Sequence, residues 1–295
     1  MEDTTDERRP CCATIGKAFK SQFTWRNLGF SSPNYKLFPF AQWICMDGVF
    51  YSLYRFFISI GLLVWACIEI PLEVKRSREE KIKLYYFLYA TNWGFLMYMV
   101  SSNAFAIFAT YFNCNREKNV PKWFAYLLWF FYELAMNTVV VTSLVYWVAF
   151  WDPTYAQFYR PEAKWKHLLP ALTVLLDMWV NGLPINLLHA IYPVLLGLIY
   201  AIFSYVYYDT RDMHPIYPVL NWSKPAEAAG ASAIAITTTV LVHVGFVLRL
   251  PSQPPFQLFV LETPALTSRK SVCTEAIHKW ATASDNASKH LRHGD

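Results

Sequence analysis

Lysine is missing from four long stretches of this 295-residue chain, 84–117, 123–163, 167–223 and 225–269. Charged residues of every kind make up only 16% of it, against roughly 25% in a typical soluble domain. A soluble protein shows lysine across its surface, so this scarcity excludes the one or two soluble domains that the length alone would allow. The six cysteines have no CxxC spacing and no histidines beside them, which argues against a zinc site and a disulfide framework. No metal or cofactor is expected. No arginine ladder, no lysine inside an apolar stretch and no inverted repeat of broken helices is visible. These absences count against a voltage sensor, a retinal-type Schiff base and a secondary transporter. The net charge of +5 does not point to nucleic acid. Its basic residues cluster in the first 36 residues and in Lys75–Lys83, where they set topology or meet anionic headgroups.

What is present is apolar and aromatic, at 55% and 18%. A helix needs about 20 mostly apolar residues to cross a bilayer, and six stretches fit: Phe50–Ile70, Leu84–Phe112, Trp123–Trp151, His167–Val180 (short unless it begins near Ala163), His189–Tyr208 and Ala228–Leu250. The expected fold is an all-α polytopic membrane bundle of six transmembrane helices. It divides as an N-terminal segment 1–42, a transmembrane domain 43–250 and a mobile polar tail 251–295. Met1–Gln42 is polar and basic and does not read as a signal peptide. Asn181-Gly182-Leu183-Pro184 reads as a tight turn between the fourth and fifth helices. Lys and Arg number 6, 3, 0 and 6 in the segments on the side of the termini and 5, 3 and 2 opposite. That balance favours cytoplasmic termini, in the plasma membrane or endoplasmic reticulum. Trp123, Trp129, Trp147, Trp151 and Trp165 read as interfacial anchors. Adjacent Cys11 and Cys12 suit either palmitoylation or two free thiols. Asn221 opens a glycosylation sequon on the side away from the termini, and Asn286 opens one on their side.

An ionisable group inside a membrane helix is a functional candidate by default. Arg55 suits either snorkelling to headgroups or pairing with a lipid phosphate or a carboxylate. Glu133, with Asn137 four residues later on the same face, Asp177 and His243 suit either interhelical hydrogen bonding or chemistry. His189 and His214 flank turns and read as structural. One coincidence is more specific. The second and fourth helices run in the same direction, so Thr91, roughly 10 Å along the second at 1.5 Å per residue, and His167, opening the fourth, meet at one membrane face. Asp177 follows His167 by ten residues, about 80° round the helix. An imidazole beside a hydroxyl can take its proton and release an alkoxide to attack a carbonyl.

Several strings carry a family resemblance. Tyr51-Ser52-Leu53-Tyr54-Arg55, Tyr89-Ala90-Thr91-Asn92-Trp93-Gly94, the run from Leu187 to Tyr200 and Ile216-Tyr217-Pro218-Val219-Leu220-Asn221-Trp222 resemble the rolling stone family. Leu28-Gly29-Phe30 and Ala41-Gln42-Trp43 match its leading segment. The likeness covers about residues 25–250, with Asn221 standing where an aspartate is expected. The resemblance implies a membrane protein linked to myoblast fusion. More distantly the chain resembles the androgen-induced membrane hydrolases, which cleave fatty-acid esters of hydroxy fatty acids. That likeness implies Thr91 as nucleophile and His167 as base. Asn92 suits either helix–helix hydrogen bonding or an oxyanion donor. Membrane lipids, and a fatty-acid ester as substrate, are the implied partners. A third reading is a solute or ion conductor using Glu133, Asp177 and His243.

Overall fold

The computed structural model describes residues 22–32, 35–43, 46–79, 85–115, 118–151, 154, 158–211 and 213–249. The C-terminal tail 251–295, Cys11, Cys12 and the Asn286 sequon lie outside the described residues. The fold is all-α: α1 (Gly48–Glu79), α2 (Ala90–Cys114), α3 (Lys122–Ala149), α4 (Pro161–Val180), α5 (Ile191–Thr210) and α6 (Pro225–Arg249), with short 3-10 turns before α2, α5 and α6.

Five of these helices are long and apolar enough to cross a membrane: α1, α2, α3, α6 and α5 extended by the turn Leu187–Ala190. The expected sixth span is present as α4, but it carries Glu162, Lys164, Lys166 and Asp177 within 20 residues. Its charges, not its length, keep it from reading as a span; Lys164 lies 3.8 Å from the Tyr159 ring centroid, and the other three have partners described below. α1 runs nine residues past the apolar stretch Phe50–Ile70, through Glu73 and Arg76, which pair at 2.8 Å. α2 begins later than expected, since Tyr85–Leu88 forms a separate 3-10 turn.

Lipid tails are as apolar as leucine, so helices in a bilayer associate through close packing and hydrogen bonds. α3 is the hub, with 67% of its apolar window buried against 22% for the spans containing α5 and α6. Gly94 lets α2 approach it closely; a Cβ there would lie 2.9 Å from the Thr138 methyl. Trp129 is an exception to interfacial anchoring. It is 1% exposed, and its indole N–H donates to the Pro184 carbonyl at 2.8 Å.

The two ends of the bundle are built differently. At the end where α4 finishes and α5 starts, the segment before α1 folds back as a plug. Phe30 stacks on His189 with centroids 4.1 Å apart. Ala41 bridges to Asn181, and the Gln42 amide donates to the Val180 carbonyl at 3.0 Å. At the opposite end, where α1 finishes and α2 starts, the helices part around a cavity.

Candidate functional site

The plugged end holds a buried ion pair and a buried carboxyl–imidazole contact. Arg55, 1% exposed, donates through Nη1 to Asp177 Oδ2 at 2.8 Å. Its other nitrogens donate to the Tyr51 hydroxyl at 2.8 and 3.0 Å. Tyr54 donates to the other Asp177 oxygen at 3.1 Å, and the guanidinium lies 4.1 Å from the Phe105 ring centroid. Arg55 therefore takes the carboxylate, and the expected headgroup contact is not made: a side chain this enclosed cannot reach the lipid surface. Glu133 is paired with His189 Nδ1 at 2.7 Å. His243 sits 3.3 Å from Asn137 and 2.9 Å from the Asn186 carbonyl.

The cavity at the other end measures about 260 Å³. Its walls are mostly apolar, with Val141, Val145, Leu196, Ala235 and Ile236 of α3, α5 and α6, interrupted by Asn137, Thr142 and Thr239. Its mouth is charged. Lys166 of α4 pairs with Glu69 of α1 and lies 3.8 Å from Glu73, while Arg76 reaches Glu162 at 3.8 Å. A greasy interior under a charged rim is the shape of an amphiphile.

Thr91 and His167 both line this cavity, by a route the sequence did not foresee. Thr91 is the second residue of α2, not one well inside it. His167 is the seventh residue of α4, about 9 Å in, not its first. The displacements run in opposite senses, so His167, not Thr91, is the more deeply set along its helix. Threonines deeper in the bundle, Thr138, Thr142, Thr237, Thr238 and Thr239, spend their hydroxyls on the carbonyl four residues back, the usual habit of a helical threonine. Thr91 makes no such bond among the described residues, because the chain four residues before it is not α-helical. The Phe87 carbonyl is taken instead by the Trp93 indole at 2.8 Å.

His167 stacks flat on Tyr146, with centroids 3.9 Å apart and planes 7° apart. The Ser143 hydroxyl donates to its carbonyl at 2.7 Å. Its Nδ1 is buried without a hydrogen-bond partner. No hydrogen bond joins His167 to Thr91 among the described residues. Instead Tyr217, from the loop before α6, meets the Thr91 side chain, Tyr200 and the Ala90 and Thr91 amides. Burial raises the Tyr217 phenol, and those polar neighbours pull it partly back, to about 12. At neutral pH it is therefore an intact hydroxyl standing at the start of α2, where unpaired amides and the helix dipole favour negative charge.

Other expected residues fall elsewhere. Asn92 is fully buried and donates to the Tyr86 carbonyl at 2.6 Å, so it locks the 3-10 turn onto α2 and does not line the cavity. Asp177 belongs to Arg55 and gives His167 nothing. Tyr217, Tyr200 and the charged rim were missed. The i, i+4, i+7 spacing of Glu69, Glu73 and Arg76 was the available signal for the rim; a loop tyrosine offers none.

The profile of the rolling stone protein family matches residues 12–251. The chain belongs to the rolling stone family. It is 22% identical over 227 residues to protein rolling stone of Drosophila melanogaster, covering 71% of this chain and 80% of that one. No solved structure matches the chain. The family match spans all six helices and both ends of the bundle, so the cavity lies wholly within the part of the chain that the rolling stone family shares.

Proposed function

We propose that this rolling stone family member is an intramembrane hydrolase of lipid esters, with Thr91 as nucleophile and His167 as general base. The observation carrying this reading is that a threonine released from backbone bonding shares one amphiphile-shaped cavity with an imidazole that lacks a partner on Nδ1. The ester enters acyl chain first, and its carbonyl displaces the Tyr217 hydroxyl from Thr91. His167 takes the Thr91 proton as the oxygen attacks the carbonyl carbon, then returns that proton to the departing alkoxide. Water, deprotonated by the same imidazole, cleaves the acyl-threonine and releases the acid. The amides of Ala90 and Thr91 with the Tyr217 hydroxyl are suited to the developing oxyanion.

With cytoplasmic termini, as the basic-residue balance favours, the mouth opens away from the cytoplasm, in the plasma membrane or endoplasmic reticulum. A role in cell fusion is the alternative reading. The connections at both ends of the bundle are short, leaving little surface to grip another cell, so such a role would act through lipid composition. The deciding experiment uses purified full-length protein with fatty-acid esters of hydroxy fatty acids. Wild type should release acid, and Thr91→Ala and His167→Ala should not. Equal turnover in all three would remove the hydrolase.

A further inference from the structure

Two voids in the bundle approach each other without joining. The large cavity has Asn137 in its wall. A second void of about 20 Å³, enough for one water, lies between Glu133 and the plugged-end residues Gln42 and Asn181. A chain of buried groups separates them. Asn137 Nδ2 is 3.3 Å from His243 Nδ1, and His243 Nε2 is 3.8 Å from Glu133 Oε1. Glu133 Oε2 accepts from His189 Nδ1 at 2.7 Å. Asn137 and His243 are fully buried and Glu133 is 4% exposed.

This chain differs from the Arg55–Asp177 pair in one respect. Glu133 Oε1 and Asn137 Oδ1 have no hydrogen-bond partner, and a buried unmet acceptor costs about 1–3 kcal/mol. The two acceptors flank one imidazole, His243. Both acceptors become useful when His243 is protonated. Asn137 can turn its amide over so that Oδ1 accepts from Nδ1–H, while Glu133 Oε1 supplies the counter-charge.

We infer that Asn137, His243 and Glu133 form a proton path between the cavity and the plugged end of the bundle. As the Asn137 amide turns, a hydronium ion from the cavity moves in past it to His243 Nδ1, protonates that nitrogen and leaves as water. The proton on Nε2 leaves its bond to the Asn186 carbonyl and passes to Glu133 Oε1, after the two close by about 1 Å to ordinary hydrogen-bond length. The products are a neutral imidazole and a carboxylic acid. Glu133 gives that proton to a water in the small void, and its carboxylate is restored with His189 still donating to Oε2. One charge crosses, and nothing else is consumed. The imidazole must then exchange its Nδ1 tautomer for Nε2 before the next proton, so the path is slower than an unbroken water wire. The bundle's buried guanidinium, Arg55, is committed to Asp177 and does not neutralise Glu133. Aspartate, glutamate and histidine chains inside membrane bundles carry protons in this way. The path does not depend on Thr91 or His167.

The test uses full-length protein in phosphatidylcholine vesicles with an internal pH dye and a potassium–valinomycin potential. Wild type should carry protons at least about fivefold faster than protein-free vesicles, as an intramembrane relay requires. Glu133→Gln and His243→Gln that elute as the wild type does should fall to the protein-free rate. If Glu133→Gln does not yield folded protein, His243→Gln decides. Wild type no faster than empty vesicles, or a folded variant as fast as wild type, would overturn the path.

Discussion

The plugged end and the cavity end of this bundle contain similar residue types and use them in opposite ways. At the plugged end Arg55 and Asp177 satisfy each other and three tyrosine contacts, sealed beneath the segment that precedes α1. At the cavity end Thr91 forgoes the backbone bond that other threonines make, and His167 leaves Nδ1 unmet. Stability and reactivity impose different demands on polar groups in a low-dielectric interior. A buried charge is tolerable when paired and hydrogen-bonded, whereas a group meant to react must have capacity left over. Polar residues in a membrane bundle are therefore better sorted by what remains unbonded than by how deep they lie.

The largest expected effect would sharpen that division. Thr91→Ala should lower ester hydrolysis by about 10⁴-fold, the scale of a lost nucleophile, while leaving stability within about 0.5 kcal/mol, because the substitution removes no helical back-bond and no ion pair. Denaturant titration in micelles, run beside the hydrolysis assay, gives both numbers on one preparation. Asp177→Ala should behave oppositely. Leaving the Arg55 charge buried and unpaired should cost about 3–5 kcal/mol of stability, and replacing both partners with leucine should recover most of it. Were Thr91→Ala the destabilising change of the two, the contrast between the ends would be reversed.

Much of the bundle was legible because membrane helices announce themselves by composition. All six helices lie where the apolar runs predict them, and only their ends moved. Those ends moved for reasons that a hydropathy count cannot see. α1 continues through the paired Glu73 and Arg76, and three of the four charges of α4, Glu162, Lys166 and Asp177, find partners in α1. Helix direction placed Thr91 and His167 at one end of the bundle, where both line the cavity, but both depths were misjudged and no hydrogen bond joins them among the described residues. The partner of Arg55 was legible only as a choice between phosphate and carboxylate, since 122 residues separate it from Asp177. Tyr217 was not legible at all. It reads as a turn residue before proline, and only the folding of that loop over α2 brings its hydroxyl to Thr91.

Tyr217→Phe tests whether the cavity end is organised around more than two residues. Loss of one hydroxyl near the developing oxyanion should lower kcat about tenfold, or 1.4 kcal/mol, with KM little changed because the ring still fills its place. A rise in KM at constant kcat would make Tyr217 a wall of the cavity and no more.

The smallest expected effect probes the seam between the two kinds of region. Ser143 donates to the His167 carbonyl at 2.7 Å, tying α3 to α4 beside the stacked Tyr146 ring. Interhelical hydrogen bonds in membrane proteins average only about 0.6 kcal/mol, so Ser143→Ala should barely move a denaturation midpoint. Yet it removes the one bond from α3 that fixes His167 along the helix axis. If imidazole placement governs proton transfer, kcat should fall by more than the roughly threefold that 0.6 kcal/mol accounts for, with stability almost intact. A fall in kcat matching the stability loss would mean that stacking on Tyr146 alone holds the ring, and that the cavity end, like the plugged end, is positioned by packing.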